Sequence, residues 1–96
     1  VDYSGTWKIK VDGEEVYNMV LRQTGSTVTG YWGYSQEDAT WAVNGTVAGN
    51  KLHATLSQGN GLPSHDFDVT MNSDSQSFDG VEHYSNPEKI LHGSKI

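Results

Sequence analysis

The sequence predicts an all-β fold, an antiparallel up-and-down meander barrel of about eight short strands, with a small β-sandwich as the alternative. Three observations lead there. Turn signals recur about every ten residues. The runs between them alternate apolar and polar residues. Gly, Thr, Ser, Val and Tyr are abundant, and no window combines helical apolar spacing with helix caps. Residues 1–96 are read as one β-barrel domain, because a chain of 96 residues has no room for two.

Strands are expected at 3–11, 15–23, 26–34, 39–48, 51–57, 65–72, 77–84 and 89–96. The first carries Tyr3, Trp7, Ile9 and Val11 on one face and ends at Asp12-Gly13, a dipeptide suited to a tight hairpin turn. A turn at Thr24-Gly25 would pair Leu21 with Val28, Met19 with Gly30 and Tyr17 with Trp32. A four-residue loop after Tyr34 would pair Trp32 with Trp41. Gly49-Asn50 would pair Val47 with Leu52, Gly45 with Ala54 and Val43 with Leu56. Residues 58–64 form the longest irregular run. A four-residue loop after Asn72 would pair Met71 with Phe78 and Phe67 with Glu82, and the last turn would pair Tyr84 with Ile90. Every one of these registers gathers the apolar residues on a single face, and a slip of one residue anywhere would scatter them. Glycines recur inside the expected strands at Gly30, Gly45, Gly80 and Gly93. Such glycines mark bends or close backbone approach and suit a strongly curved barrel.

Alternate loops of a meander fall at alternate ends. One end would hold the short turns at Thr24-Gly25, Gly49-Asn50 and 73–76, and is read as closed. The other would hold 12–14, 35–38, 58–64 and 85–88, and is read as the mouth. The inward residues nearest that mouth are Tyr17, Trp32, Tyr34, Trp41, His65, Phe67, Glu82, Tyr84, Ile90 and His92. An aromatic patch with a few polar groups is the usual lining of a ligand pocket. It is also what a small barrel filled by its own side chains would show.

With Tyr84 opposite Ile90, Glu82 faces His92 inside the barrel. A carboxylate beside an imidazole can pass a proton near neutral pH, and with His65 close by the three could ligate a divalent metal. Two readings without chemistry stand beside this. The pair could be an internal hydrogen-bonded contact, or the last hairpin could slip by one and place Val81 and Leu91 inside instead. His53 and His83 fall on the outer face. Ser64-His65-Asp66 holds three triad residue types, but adjacency in sequence is not triad geometry.

The chain carries 12 Asp and Glu against 6 Lys and Arg, for a net charge of −6. Phosphate backbones and anionic membrane surfaces need a basic field, so neither nucleic acid nor membrane is expected as a partner. The absence of Cys removes disulfides and thiolate zinc sites. No cofactor or metal is assigned. The leading reading is of an exported protein, secreted or periplasmic, monomeric or dimeric.

Gly5-Thr6-Trp7 resembles the Gly-x-Trp near the first-strand start of the calycin group, meaning lipocalins, fatty-acid-binding proteins and avidin-like barrels. Thr29-Gly30-Tyr31-Trp32 and the strand glycines look most like the avidin-like branch. The resemblance implies an eight-stranded up-and-down barrel with its ligand site at the open end, and gives Trp7 the role of closing the floor. No biotin-type set of polar ligands aligns, and the last strand has no Arg of the kind lipocalins commonly set against that Trp.

The leading expectation is a barrel that binds an apolar or aromatic small molecule through Tyr17, Trp32, Tyr34, Trp41, His65, Phe67, Glu82, Tyr84 and His92. A second is a small proton-transfer enzyme, an isomerase, cyclase or lyase, with Glu82 and His92 as its catalytic acid–base pair. A third is a protein-interaction module, such as a protease inhibitor, presenting the 58–64 loop.

Overall fold

A computed structural model describes residues 1–16, 18–33, 41–57, 64–83 and 88–96. The strands are β1 (Gly5–Val11), β2 (Glu14–Glu15), β3 (Met19–Thr24), β4 (Thr27–Trp32), β5 (Trp41–Ala48), β6 (Lys51–Ser57), β7 (His65–Met71), β8 (Ser77–His83) and β9 (Lys89–Lys95). They form one antiparallel sheet in the order β2-β1-β3-β4-β5-β6-β7-β8-β9, and pairing of β1 with β9 closes it into an up-and-down barrel. The two-residue β2 is an extension at the mouth end of the wall.

Three features depart from the sequence reading. The expected strand 15–23 is interrupted. Among the described residues the pairing stops at Lys10↔Glu15 and resumes at Trp7↔Met19, and between them the Val16 N–H donates to the Ile9 carbonyl at 3.0 Å. The β3–β4 turn is Gly25-Ser26 rather than Thr24-Gly25, and Met19 lies opposite Trp32. Gly25 has φ 62°, and a two-residue hairpin turn that opens on positive φ wants Gly first. The shift is two residues, so the inward face is unchanged. In the last hairpin Glu82 pairs with Lys89, Gly80 with Leu91 and Phe78 with Gly93. The expected Tyr84–Ile90 register is therefore not formed; Leu91 is fully buried and Ile90 is 57% exposed. The cause lies at the barrel floor, where the Phe78 ring sits against Gly93. A Cβ at Gly93 would meet the ring at 2.3 Å, so only glycine fits there. Putting Gly93 inside puts Leu91 inside and turns Ile90 and His92 out.

The remaining registers follow the sequence. Trp32 faces Trp41, Val43 faces Leu56, Gly45 faces Ala54, Met71 faces Phe78 and Phe67 faces Glu82. Asp12-Gly13 forms a two-residue turn with both residues at positive φ. The expected turns at 35–38, 58–63 and 85–87 lie outside the described residues.

The closed end is a plug of three aromatics. Phe78 packs on Trp7 at 4.8 Å and on Tyr3 at 5.7 Å between ring centroids. Tyr3 precedes β1 and crosses the floor. Its hydroxyl donates to the Asn50 carbonyl at 2.7 Å, and its carbonyl accepts from Trp7 Nε1 at 2.9 Å. Burial pushes the Tyr3 phenol up to about 12, so it stays a donor across the whole working pH range. Gln23 holds the strap from the side, accepting from the Tyr3 N–H at 2.8 Å. Above the plug, Ile9, Met19, Val28, Val43, Leu52, Leu56, Phe67 and Leu91 fill the lumen.

Such tight coiling needs strands that approach where a side chain would intervene. A Cβ on Gly80 would lie 1.9 Å from the Asp68 carbonyl oxygen, and one on Gly30 1.9 Å from that of Val20. Backbone on both sides cannot yield. We expect Gly80→Ala to lose about 2–4 kcal/mol in urea unfolding. Gly49→Ala, at positive φ but with open space around it, should lose about 1 kcal/mol. Equal losses at the two sites would show that close approach is not the constraint.

Candidate functional site

The inward faces of β4, β5, β7 and β8 bring Trp32, Trp41, His65, Phe67 and Glu82 to the mouth half of the barrel. Trp32 and Trp41 are cross-strand partners, the first 8% exposed and the second half-buried. Trp41 tilts against the His65 ring at 5.2 Å between centroids. His65 in turn lies within electrostatic reach of Glu82, as do Lys89 and Asp12. Phe67 is wholly buried and forms the floor under this layer. The indoles, the imidazole and the carboxyl thus make a continuous arc around the wall.

Glu82 is 8% exposed and is the one buried charged side chain among the described residues. Burial is the largest influence on it and raises its carboxyl above the ordinary 4.5, while the charges of His65 and Lys89 pull the other way and Asp12 adds to the rise. Asp12 is held in place at the rim, its Oδ1 accepting the Ile90 N–H at 2.8 Å while its own N–H donates to the Ile90 carbonyl at 2.8 Å. The sequence reading missed Lys89 and Asp12. The register of the last hairpin decides both, and it depends on the shape of the floor.

His92 does not join this site. It lies on the outer wall, where Nδ1 pairs with Asp79 and Nε2 is 3.0 Å from Ser94 Oγ. The acid–base pair expected from Glu82 and His92 is not formed, for the reason given by Gly93. Tyr17, Tyr34 and Tyr84 lie outside the described residues, as does the 58–63 loop. No group of three His or carboxylate side chains placed to hold a metal occurs among the described residues.

The outer wall carries its own polar chain, which the sequence reading also missed. Asp68 accepts from His53 Nδ1 at 2.6 Å and from His83 Nε2 at 2.8 Å, and His83 Nδ1 pairs with Glu88. Burial opposes ionisation of Asp68, but the two histidines outweigh it and hold its carboxyl below the ordinary range. His83 meets a carboxylate at each ring nitrogen. Only the imidazolium can donate to both, so Asp68 and Glu88 raise its pKa above the ordinary 6.5. Glu88 stands at the entry to β9, so this imidazolium pins the mouth end of the last hairpin. A groove of about 440 Å³ lies beside it, lined by the polar Thr46, Lys51, His53, Asp68 and Thr70 and by the apolar Ala48, Leu52 and Val69.

Two outcomes follow for stability. The folded state keeps a proton on Glu82 that the unfolded chain has given up, so stability falls as pH rises from 4.5 through the raised value. Glu82→Gln should therefore gain melting temperature relative to the parent over that rise, and a constant difference would contradict it. His83 gives stability that is complete below 6.5 and is lost as pH climbs through its raised value. His83→Gln should lower the melting temperature clearly at about pH 5.5 and hardly at about pH 9; the reverse order would refute the clamp. No family model, curated protein or solved structure matches the chain.

Proposed function

We propose that the protein binds an apolar or aromatic small molecule at the open end of its barrel, against Trp32, Trp41, His65 and Glu82, above Phe67. One observation carries this reading. A carboxyl only 8% exposed is set beside aromatic rings at one end of a barrel whose other end is plugged by Tyr3, Trp7 and Phe78. Burying that group costs stability, and a Leu in its place would pack without the cost. Destabilising polar groups kept in a concave apolar surface are typical of binding sites.

The resemblance of Gly5-Thr6-Trp7 to the calycin barrels supports the same reading. The last strand lacks Arg, but Lys95 stands against Trp7 with Nζ 5.7 Å from the ring centroid. Gly5, at φ 136°, leaves the path of that lysine clear, since a Cβ there would meet Lys95 Cε at 2.9 Å.

The uncharged fluorophore N-phenyl-1-naphthylamine tests the site. Its emission should rise saturably with one molecule per barrel. Trp41→Ala, which trims a half-buried side chain at the mouth, should weaken binding about tenfold or more. Absence of saturable binding, or identical binding by the variant, would overturn the proposal.

A further inference from the structure

We propose that the ligand of the mouth carries an organic ammonium group, with Glu82 as its counter-ion and the indoles of Trp32 and Trp41 as its aromatic wall. This rests on the mouth being the binding site, and adds the chemical class that the site selects.

Four observations point to a cation. The first is the place of the charge. Glu82 lies inside, at 8% exposure, on a strand face otherwise given to Phe78 and Gly80. A carboxylate held away from water attracts a cation far more strongly than one on the surface. The second is a neighbouring carboxylate. Asp12 is fixed at the rim by its two bonds to the Ile90 backbone, and its charge is felt at Glu82. Like charges so placed repel each other, and a positive group near Glu82 eases the repulsion. The third is the wall. Trp32 and Trp41 lie opposite one another on adjacent strands, and indole faces carry the negative lobe of the ring quadrupole, which favours ammonium groups. A metal ion gains little from such faces. The fourth is the field of the whole molecule. A net charge of −6 concentrates cations near the surface and repels anions.

His65 and Lys89 are the groups that would favour an anion. Neither is as deep as Glu82. Lys89 is half-buried where β9 enters the wall, opposite Glu82, and its charge offsets the effect of burial on Glu82 only in part. His65 is engaged with the Trp41 ring. The dry charge at the centre of the arc is therefore negative, and the positive charges are at its edge.

Phenethylamine and 3-phenylpropionate share a ring and a chain length and differ in the sign of the terminal charge. Each is titrated into the protein at low salt and neutral pH by calorimetry and by displacement of N-phenyl-1-naphthylamine. The amine should bind at least about tenfold more tightly than the acid. In Glu82→Gln, whose cooperative melting reports an intact barrel, the difference should vanish. If the fluorophore binds but the acid equals or exceeds the amine, the cation preference is overturned while the binding site stands. The same holds if Glu82→Gln leaves the preference untouched. If neither compound nor the fluorophore binds, the mouth reading falls and the cation preference falls with it.

Discussion

The seat of the Phe78 ring on Gly93 is the contact from which the rest of the barrel is set. A residue with any side chain at 93 would collide with that ring. Gly93 must therefore face inward, and this selects the register of β8 against β9. That register carries Leu91 into the core and His92 out of it, and it places Lys89 opposite Glu82. The other edge of β9 then meets β1 from Trp7↔Lys95 to Val11↔Leu91, and the sheet closes. Trp7 and Tyr3 complete the plug because closure brings them over the same ring. The bottom of the molecule, which takes no part in the site, thus decides which charges reach its top.

Filling of the lower lumen has a direct bearing on the mouth. A barrel of eight strands has little interior to spare. Here Met19, Leu56, Phe67 and Leu91 occupy it up to the level of Glu82. Above that level the described residues present aromatic side chains and the Glu82 carboxyl.

Much of this architecture is legible in the sequence, and the boundary of what is legible has a physical reason. Val43, Val47, Leu52 and Leu56 find their partners because Gly49-Asn50 dictates a two-residue turn and the flanking pattern allows no slip. Met71 and Phe78 do so for the same reason across 72–77. Of the bends or close approaches that the strand glycines suggest, the structure shows close approach: of backbone at Gly30, Gly45 and Gly80, and of the Phe78 ring at Gly93. The last hairpin is different. Its local pattern accepts either Ile90 or Leu91 as the inward residue, and a ring from the neighbouring strand breaks the tie. That information is tertiary. The chain of His53, Asp68, His83 and Glu88 escapes notice for a related cause. The alignment of His53 with Asp68 depends on the pairing of β6 with β7, whose connection through 58–64 has no turn signal that sets a register. Glu82 is legible because the strand that carries it is fixed by the hairpin before it.

The route by which the sheet closes bears on how the chain folds. All pairings but two join consecutive strands, and one of the two, β1 with β3, skips only the two-residue β2, so each of these can form locally and zip onto the last. The other, β1 with β9, joins residues 80 to 88 positions apart, and a loop of that length costs about 4 kcal/mol of chain entropy to close. The hairpins can therefore assemble into a curled, open sheet before its two edges meet. While open, that sheet offers β1 and β9 to any other chain in the same state, and an exchange of edges between two molecules would satisfy the same hydrogen bonds as closure within one. The strap of Tyr3 crosses the floor where those edges meet. Its hydroxyl reaches Asn50, in the turn between β5 and β6, and ties the first residues of the chain to its middle when the ring is complete. The contact that seals the bottom of the barrel is thus also the one that fastens the start of the chain to its centre.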